Sequence, residues 1–203
     1  LVNRPVHHLV VLDDSYSMTD QWASTSAWRE ATGGVQEILR AASDQSTASV
    51  ATVLRHSEAQ QPSDDPRPAI FRRPLDTAGL EELSSQIDSS QPTQEVPSLD
   101  AALRRAIEIA ELQAQDQDLV VHLVGDFRSR DLNASDETET LVKRLAELSK
   151  EVRFVRCVRQ IHENLAITGL EPESGVRAAD VEMWVRLELT NYGSRGAADV
   201  VVE

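Results

Sequence analysis

The run His8-Leu9-Val10-Val11-Leu12 breaks off at Asp13-Asp14-Ser15-Tyr16-Ser17, and this junction constrains the chain more than any other. A short apolar run of β-branched and leucine residues reads as a buried strand. At the C-terminal end of a parallel strand, the loop that follows faces the crevice where open α/β sheets place their ligands. Asp13, Ser15 and Ser17 put an acid and two hydroxyls at alternate positions. They offer only oxygen donors, which suit a hard divalent cation such as Mg²⁺.

A second junction has the same form. Asp118-Leu119-Val120-Val121-His122-Leu123-Val124 is another buried-type strand, and it ends in Gly125-Asp126. Between and after these strands the periodicity is helical. Trp28, Ala31, Val35, Ile38, Leu39 and Ala42 mark a first amphipathic helix, within which Gly33 and Gly34 read as sites of close packing on the sheet. Ser49 to Leu54 reads as the second strand, and Ala69 to Arg73, between two prolines, as a short edge strand. Leu80, Leu83 and Ile87 mark a short helix. Leu99, Leu103, Ala106, Ile107 and Ala110 mark the next. A helix from about Asp136 to Lys150, with Ser135 as N-cap, precedes a strand containing Cys157. The order predicts an α/β fold, a doubly wound and mostly parallel Rossmann-like sheet with helices on both faces.

Asp13-x-Ser15-x-Ser17, followed far downstream by Gly125-Asp126, resembles the metal-ion-dependent adhesion site of the von Willebrand factor A (vWA) fold. The stretch after it, Arg128-Ser129-Arg130-Asp131-Leu132, resembles bacterial membrane-anchored vWA proteins of the aerotolerance type. The resemblance implies that Asp13 holds a cation through water, that Ser15 and Ser17 ligate it directly, and that Asp126 is the water-bridged acid of the third loop. It also calls for a Thr from the second loop. Alignment on Leu99 and Ala102-Leu103 puts Pro97 at that position, and proline has no side-chain oxygen. Ser98 is the nearby substitute ligand, with Thr93 also close, although Ser98 equally suits the N-cap of the helix it precedes. Mg²⁺ or Mn²⁺ is the implied cofactor. Weak binding, binding through water and a vestigial site all stay open.

Two phosphoryl-transfer readings compete for the first junction. A strand followed by Asp13-Asp14-Ser15 also looks like the opening of a response-regulator receiver, whose phosphorylated Asp should close the third strand. The corresponding segment, His56 to Pro66, is loop chemistry. A haloacid-dehalogenase phosphatase needs an acid where Ser15 stands.

From about Glu163 the pattern changes. Asn164 to Leu170 and Val181 to Thr190 alternate like strands, Asn191 to Gly196 is turn chemistry, and Ala197 to Val202 resumes a strand. Leu189-Thr190-Asn191-Tyr192-Gly193 resembles the bacterial cell-adhesion-related immunoglobulin-like sandwich. Residues 163–203 are too few for the about 100 residues of a whole sandwich, so this segment is a partial one. The expected division is a vWA-like domain over 1–160 and a partial all-β segment over 163–203.

Composition narrows the function. A net charge of −14 and a pI near 4.7 oppose nucleic-acid binding, which needs clustered Lys and Arg. No run approaches the roughly 20 apolar residues of a membrane span. The chain opens at Leu1 without methionine and soon enters a strand, as an excerpt would, so an upstream signal or anchor stays open. A single cysteine excludes an internal disulfide, and Cys157 within a strand reads as an inert thiol. Adjacent His7 and His8 point to opposite faces of a strand and cannot easily share a metal. His56 and His162 read as surface residues. Arg153, Arg156 and Arg159 are split between faces, and Asn133-Ala134-Ser135 reads as a chance glycosylation sequon. No Gly-rich phosphate loop or Gly-x-Ser-x-Gly elbow marks an enzyme.

The resemblance therefore implies a non-enzymatic protein-protein interaction or adhesion domain of the bacterial cell envelope, belonging to a membrane-anchored parent protein. A cation held by Asp13, Ser15, Ser17 and Asp126, with Ser98 near, would leave one position for a partner's carboxylate. A metal-free interaction or assembly scaffold is the alternative, and a receiver-like domain the more distant one.

Overall fold

The computed structural model describes residues 5–45, 48–61, 65, 67–94, 97–112, 117–127, 136–158, 165–174, 184–191, 196 and 198. The contacts divide the chain into two compact units, Leu1–Arg159 and Gln160–Glu203.

The first unit is built on β1 (Val6–Leu12), and every residue of that strand after Val6 is buried. It pairs in parallel with β4 (Val50–Arg55) on one side and β6 (Asp118–Gly125) on the other. Next to β6 lies β7 (Glu151–Arg156), also parallel. Beyond β4 lies β5 (Ile70–Pro74), which runs antiparallel. The sheet order is β5-β4-β1-β6-β7. The edge position of the 70–74 strand agrees with its prolines; its reversed direction carries no sequence signature.

Alternation along the strands divides the core in two. Val10 and Leu12 of β1, Ala51 and Val53 of β4 and Val124 of β6 pack with Ala31, Val35 and Leu39 of α1 (Ala27–Gln45) and Leu83 and Ile87 of α3 (Thr77–Ser89). Their neighbours Leu9, Val11, Leu54, Val121 and Leu123 pack with Leu103, Ala106 and Ile109 of α4 (Leu99–Glu111) and Leu145 of α5 (Asp136–Leu148). The protein is thus α/β, with a mostly parallel five-stranded sheet and helices on both faces.

Two sequence expectations need correction here. A Cβ added at Gly33 or Gly34 would meet nothing within 4 Å, so these glycines do not serve close packing on the sheet. His56 is not on the surface: it is 7% exposed and starts the single-turn helix α2 (His56–Ala59). The Ser135 cap, the segment 128–132, Arg159, His162 and the sequon lie outside the described residues.

The second unit contains an antiparallel pair, β8 (Leu165–Ser174) and β9 (Trp184–Asn191), with register shifts near Gly169 and Pro172. Trp184, Ile167 and Leu170 are exposed on it. The turn at 192–195 and the strand expected over 197–202, except for residue 198, fall outside the described residues, and residue 198 is not in a strand. Among the described residues no helix is long and apolar enough to cross a membrane.

Candidate functional site

Strand register brings the candidate residues into one row. Leu12 pairs with both Arg55 and Val124, so Asp13 leaves the sheet beside His56 on one side and Gly125 on the other. Gly125 pairs with Arg156, which sets Asp126 beside Cys157. In the order β5-β4-β1-β6-β7, chain order reverses at β1, so Asp13 and Asp126 flank the crevice at the topological switch point.

Each loop is held by local bonds. The Asp13 N–H donates to Val124 O at 2.9 Å, which continues the β1–β6 pairing one residue past the strand. Asp13 Oδ1 accepts from the Ser15 N–H at 2.9 Å. Ser15 Oγ and Ser17 Oγ are 2.9 Å apart and hydrogen-bonded. The chain then turns through a 3-10 helix, Tyr16–Thr19, which buries Met18 and leaves Tyr16 60% exposed. A small ribbon, β2 (Gln21–Trp22) with β3 (Thr25–Ser26), leads into α1. Neither the 3-10 turn nor the ribbon is legible in the sequence.

Asp14 has a different task. It is 1% exposed and accepts from the Ser57 N–H at 2.9 Å and from Ser57 Oγ–H at 2.5 Å. Its own carbonyl accepts from the Thr93 N–H at 2.7 Å. Asp14 therefore ties the β1 loop to α2 and to the segment before α4.

A side chain at 125 would crowd Asp13. A Cβ there would stand 3.0 Å from Asp13 Cβ and 3.3 Å from Asp13 Oδ2. Past Asp126 the backbone turns left-handed at Phe127, with φ 46°. A bulky residue adopts that conformation at a cost of about 1–3 kcal/mol, and the Phe127 ring is held against Phe154 with centroids 5.8 Å apart.

A cleft opens over this row, with Asp13, Ser15, His56, Pro97, Gly125 and Phe127 on its wall. His56 is the residue that sequence reasoning missed. Its Nδ1 lies 3.7 Å from Asp13 Oδ1, and both side chains are largely buried. The turn that presents it is fixed by Glu58, whose carboxylate accepts from the Arg55 N–H at 3.1 Å. Its only sequence signal is its place directly after β4, the strand beside β1.

Asp13, Ser15 and Ser17 are brought together. Asp126, 2% exposed, sits at the next strand end, between Gly125 and Phe127 of the wall. Ser98 caps α4, its hydroxyl accepting from the Ala101 N–H at 3.4 Å, while Pro97 occupies the wall. Cys157 is half-buried, and its thiol is pushed up to about 12 by burial first, then by the Asp126 and Asp13 carboxylates. At such a value it stays protonated and unreactive. Asp13 and Asp126 follow adjacent parallel strands, so they share one end of the sheet. Among the described residues, no group of three or more His, Cys, Asp and Glu side chains is placed to hold a metal. The Asp13 set draws on hydroxyls and is a different kind of donor set.

No family model matches the chain, and no curated protein matches it. Among solved structures it is similar to the adhesive tip pilin of Group B Streptococcus agalactiae, at 14% identity and a TM-score of 0.39. The similarity covers 59% of this chain and 45% of the pilin, so the chain spans less than half of that protein's length. So slight a likeness carries no argument about fold or function.

Proposed function

We propose that this chain is a non-enzymatic interaction domain of vWA type, in which the Asp13 loop holds a divalent cation that engages an acidic group on a protein partner. The observation that carries the reading is the pairing of the Ser15 and Ser17 hydroxyls, 2.9 Å apart beside Asp13 at the switch point of the sheet. Two oxygens bound to one Mg²⁺ at right angles, with bonds of about 2.1 Å, stand about 3.0 Å apart. The residues present fit the ion: Ser15 and Ser17 would hold it directly, and Asp13 and Asp126 would supply charge around it. The bound cation would supply a positive, carboxylate-accepting point in an otherwise acidic protein. Exposed Tyr16, between the two serines, offers an aromatic contact at the rim.

Other support is indirect. The left-handed Phe127 is a cost accepted beside Asp126, as functional loops often carry. Asp14 is spent on Ser57, which disfavours a receiver-like reading that needs Asp14 for the metal. A metal-free scaffold is the second reading. Pro97 on the wall favours it, since no Thr oxygen is supplied there. By the same resemblance the parent protein is a membrane-anchored component of the bacterial cell envelope.

Calorimetric titration with Mg²⁺ and Mn²⁺, on the wild type and on Asp13→Ala, tests the proposal. One site, lost in the variant, supports it. Silence at millimolar cation in the folded wild type would favour the metal-free scaffold.

A further inference from the structure

We propose that His56 is a direct ligand of the cation and turns this site toward metals that accept nitrogen, Mn²⁺ and Co²⁺, ahead of Mg²⁺. The inference rests on the cation reading above and specifies its chemistry. Pro97 takes an oxygen away from the cleft, and His56 brings a nitrogen to the same wall.

The geometry of the Asp13–His56 pair is the first argument. Nδ1 and Oδ1 are 3.7 Å apart. That is too long for an N–H···O hydrogen bond, which closes at about 2.7–3.2 Å. With Asp13 Oδ1 bound directly beside His56 Nδ1, in place of the water-bridged Asp13 of the resemblance, the two donors, with bonds of about 2.1 Å, stand between about 3.0 Å at right angles and about 4.2 Å when opposed. The observed gap falls inside that range without any movement of either side chain.

Position is the second argument. Both side chains are about nine-tenths buried; Asp13 Oδ1 is held by the Ser15 N–H at 2.9 Å, and the single turn that carries His56 is held by the Arg55 N–H bond to Glu58 at 3.1 Å. Little side-chain freedom remains to be lost on binding a metal. An imidazole raises affinity along the series from Mn²⁺ through Co²⁺, whereas Mg²⁺ gains little from it and keeps to oxygen and water. One nitrogen among oxygens therefore changes which ion wins more than it changes whether an ion binds.

The test is pulsed EPR on the Mn²⁺-loaded chain, combined with Mn²⁺ and Mg²⁺ titrations of the wild type and His56→Asn. Asparagine keeps a polar group near the Nδ1 position, and circular dichroism checks that the variant is folded. The expected result is a directly bound ¹⁴N coupling in the wild type that disappears in His56→Asn. The preference for Mn²⁺ over Mg²⁺ should fall at least about tenfold. Mn²⁺ bound with no nitrogen coupling, or with a coupling that survives in His56→Asn, overturns the role of His56 and leaves the cation reading standing. No Mn²⁺ bound at all overturns both.

Discussion

Asp13 Cβ lies 3.0 Å from where a side chain on residue 125 would begin, so Gly125 lets the two residues stand side by side without either one shifting. The acid after β1 and the Gly-Asp after β6 are therefore one feature, although more than a hundred residues separate them in the chain. Gly125→Ala is expected to push Asp13 off its position. Overpacking of this kind costs about 1–3 kcal/mol, read as a lower urea midpoint. Cation affinity should fall at least tenfold, since about 1.4 kcal/mol is a factor of ten. An alanine variant with unchanged affinity would show that the Asp13 position is not what binds.

His8 Nδ1 and His122 Nε2 are 3.1 Å apart, with rings stacked 5.4 Å between centroids, on the sheet face that α1 covers. Burial holds both imidazoles down at about 4, helped by Arg153 for His8, and by His8 and Arg153 for His122. Their folded-state pKa values lie below the unfolded value of about 6.5, so between pH 6.5 and 4 the unfolded chain binds more protons. Stability is full above pH 6.5 and falls as pH drops through that window. Urea melts at stepped pH should show the decline, and His8→Leu/His122→Leu should flatten it. An equally steep decline in the double variant would assign it to other groups.

Gly33 and Gly34 lie inside α1 with open space where a Cβ would go. Glycine in a helix interior costs about 0.5–1 kcal/mol relative to alanine. Gly33→Ala and Gly34→Ala should each raise stability by about that amount, read as an upward shift of the thermal midpoint. A loss instead would point to a contact made by neighbouring residues when the helix repacks.

The legible part of this chain is the part governed by local pattern. β1, β4 and β6 stand where apolar runs place them, whereas β7 is mostly exposed and ends at Arg156, one residue before the Cys157 expected within it. α1, α3, α4 and α5 follow their apolar spacing, with Ile109 as an additional core residue of α4. Ser98 caps α4 as its sequence suggests, because a cap needs only the next turn of backbone. Long-range pairings decided the rest. His56 reads as loop chemistry, yet Asp13, forty-three positions upstream, makes its environment buried. His8 meets His122 across 114 positions, and Ser57 meets Asp14 across 43. The Met18 turn and the antiparallel direction of β5 depend on what lies beneath or beside them, which no local window contains.

The central claim is that one cation sits among Asp13, Ser15 and Ser17, and crystals grown in Mn²⁺ would address it most directly. The expected result is a single strong anomalous peak within bonding distance of Ser15 Oγ and Ser17 Oγ, absent in Asp13→Ala crystals. No peak at the Asp13 loop in crystals holding millimolar Mn²⁺, or a peak only at the His8–His122 pair, would contradict it.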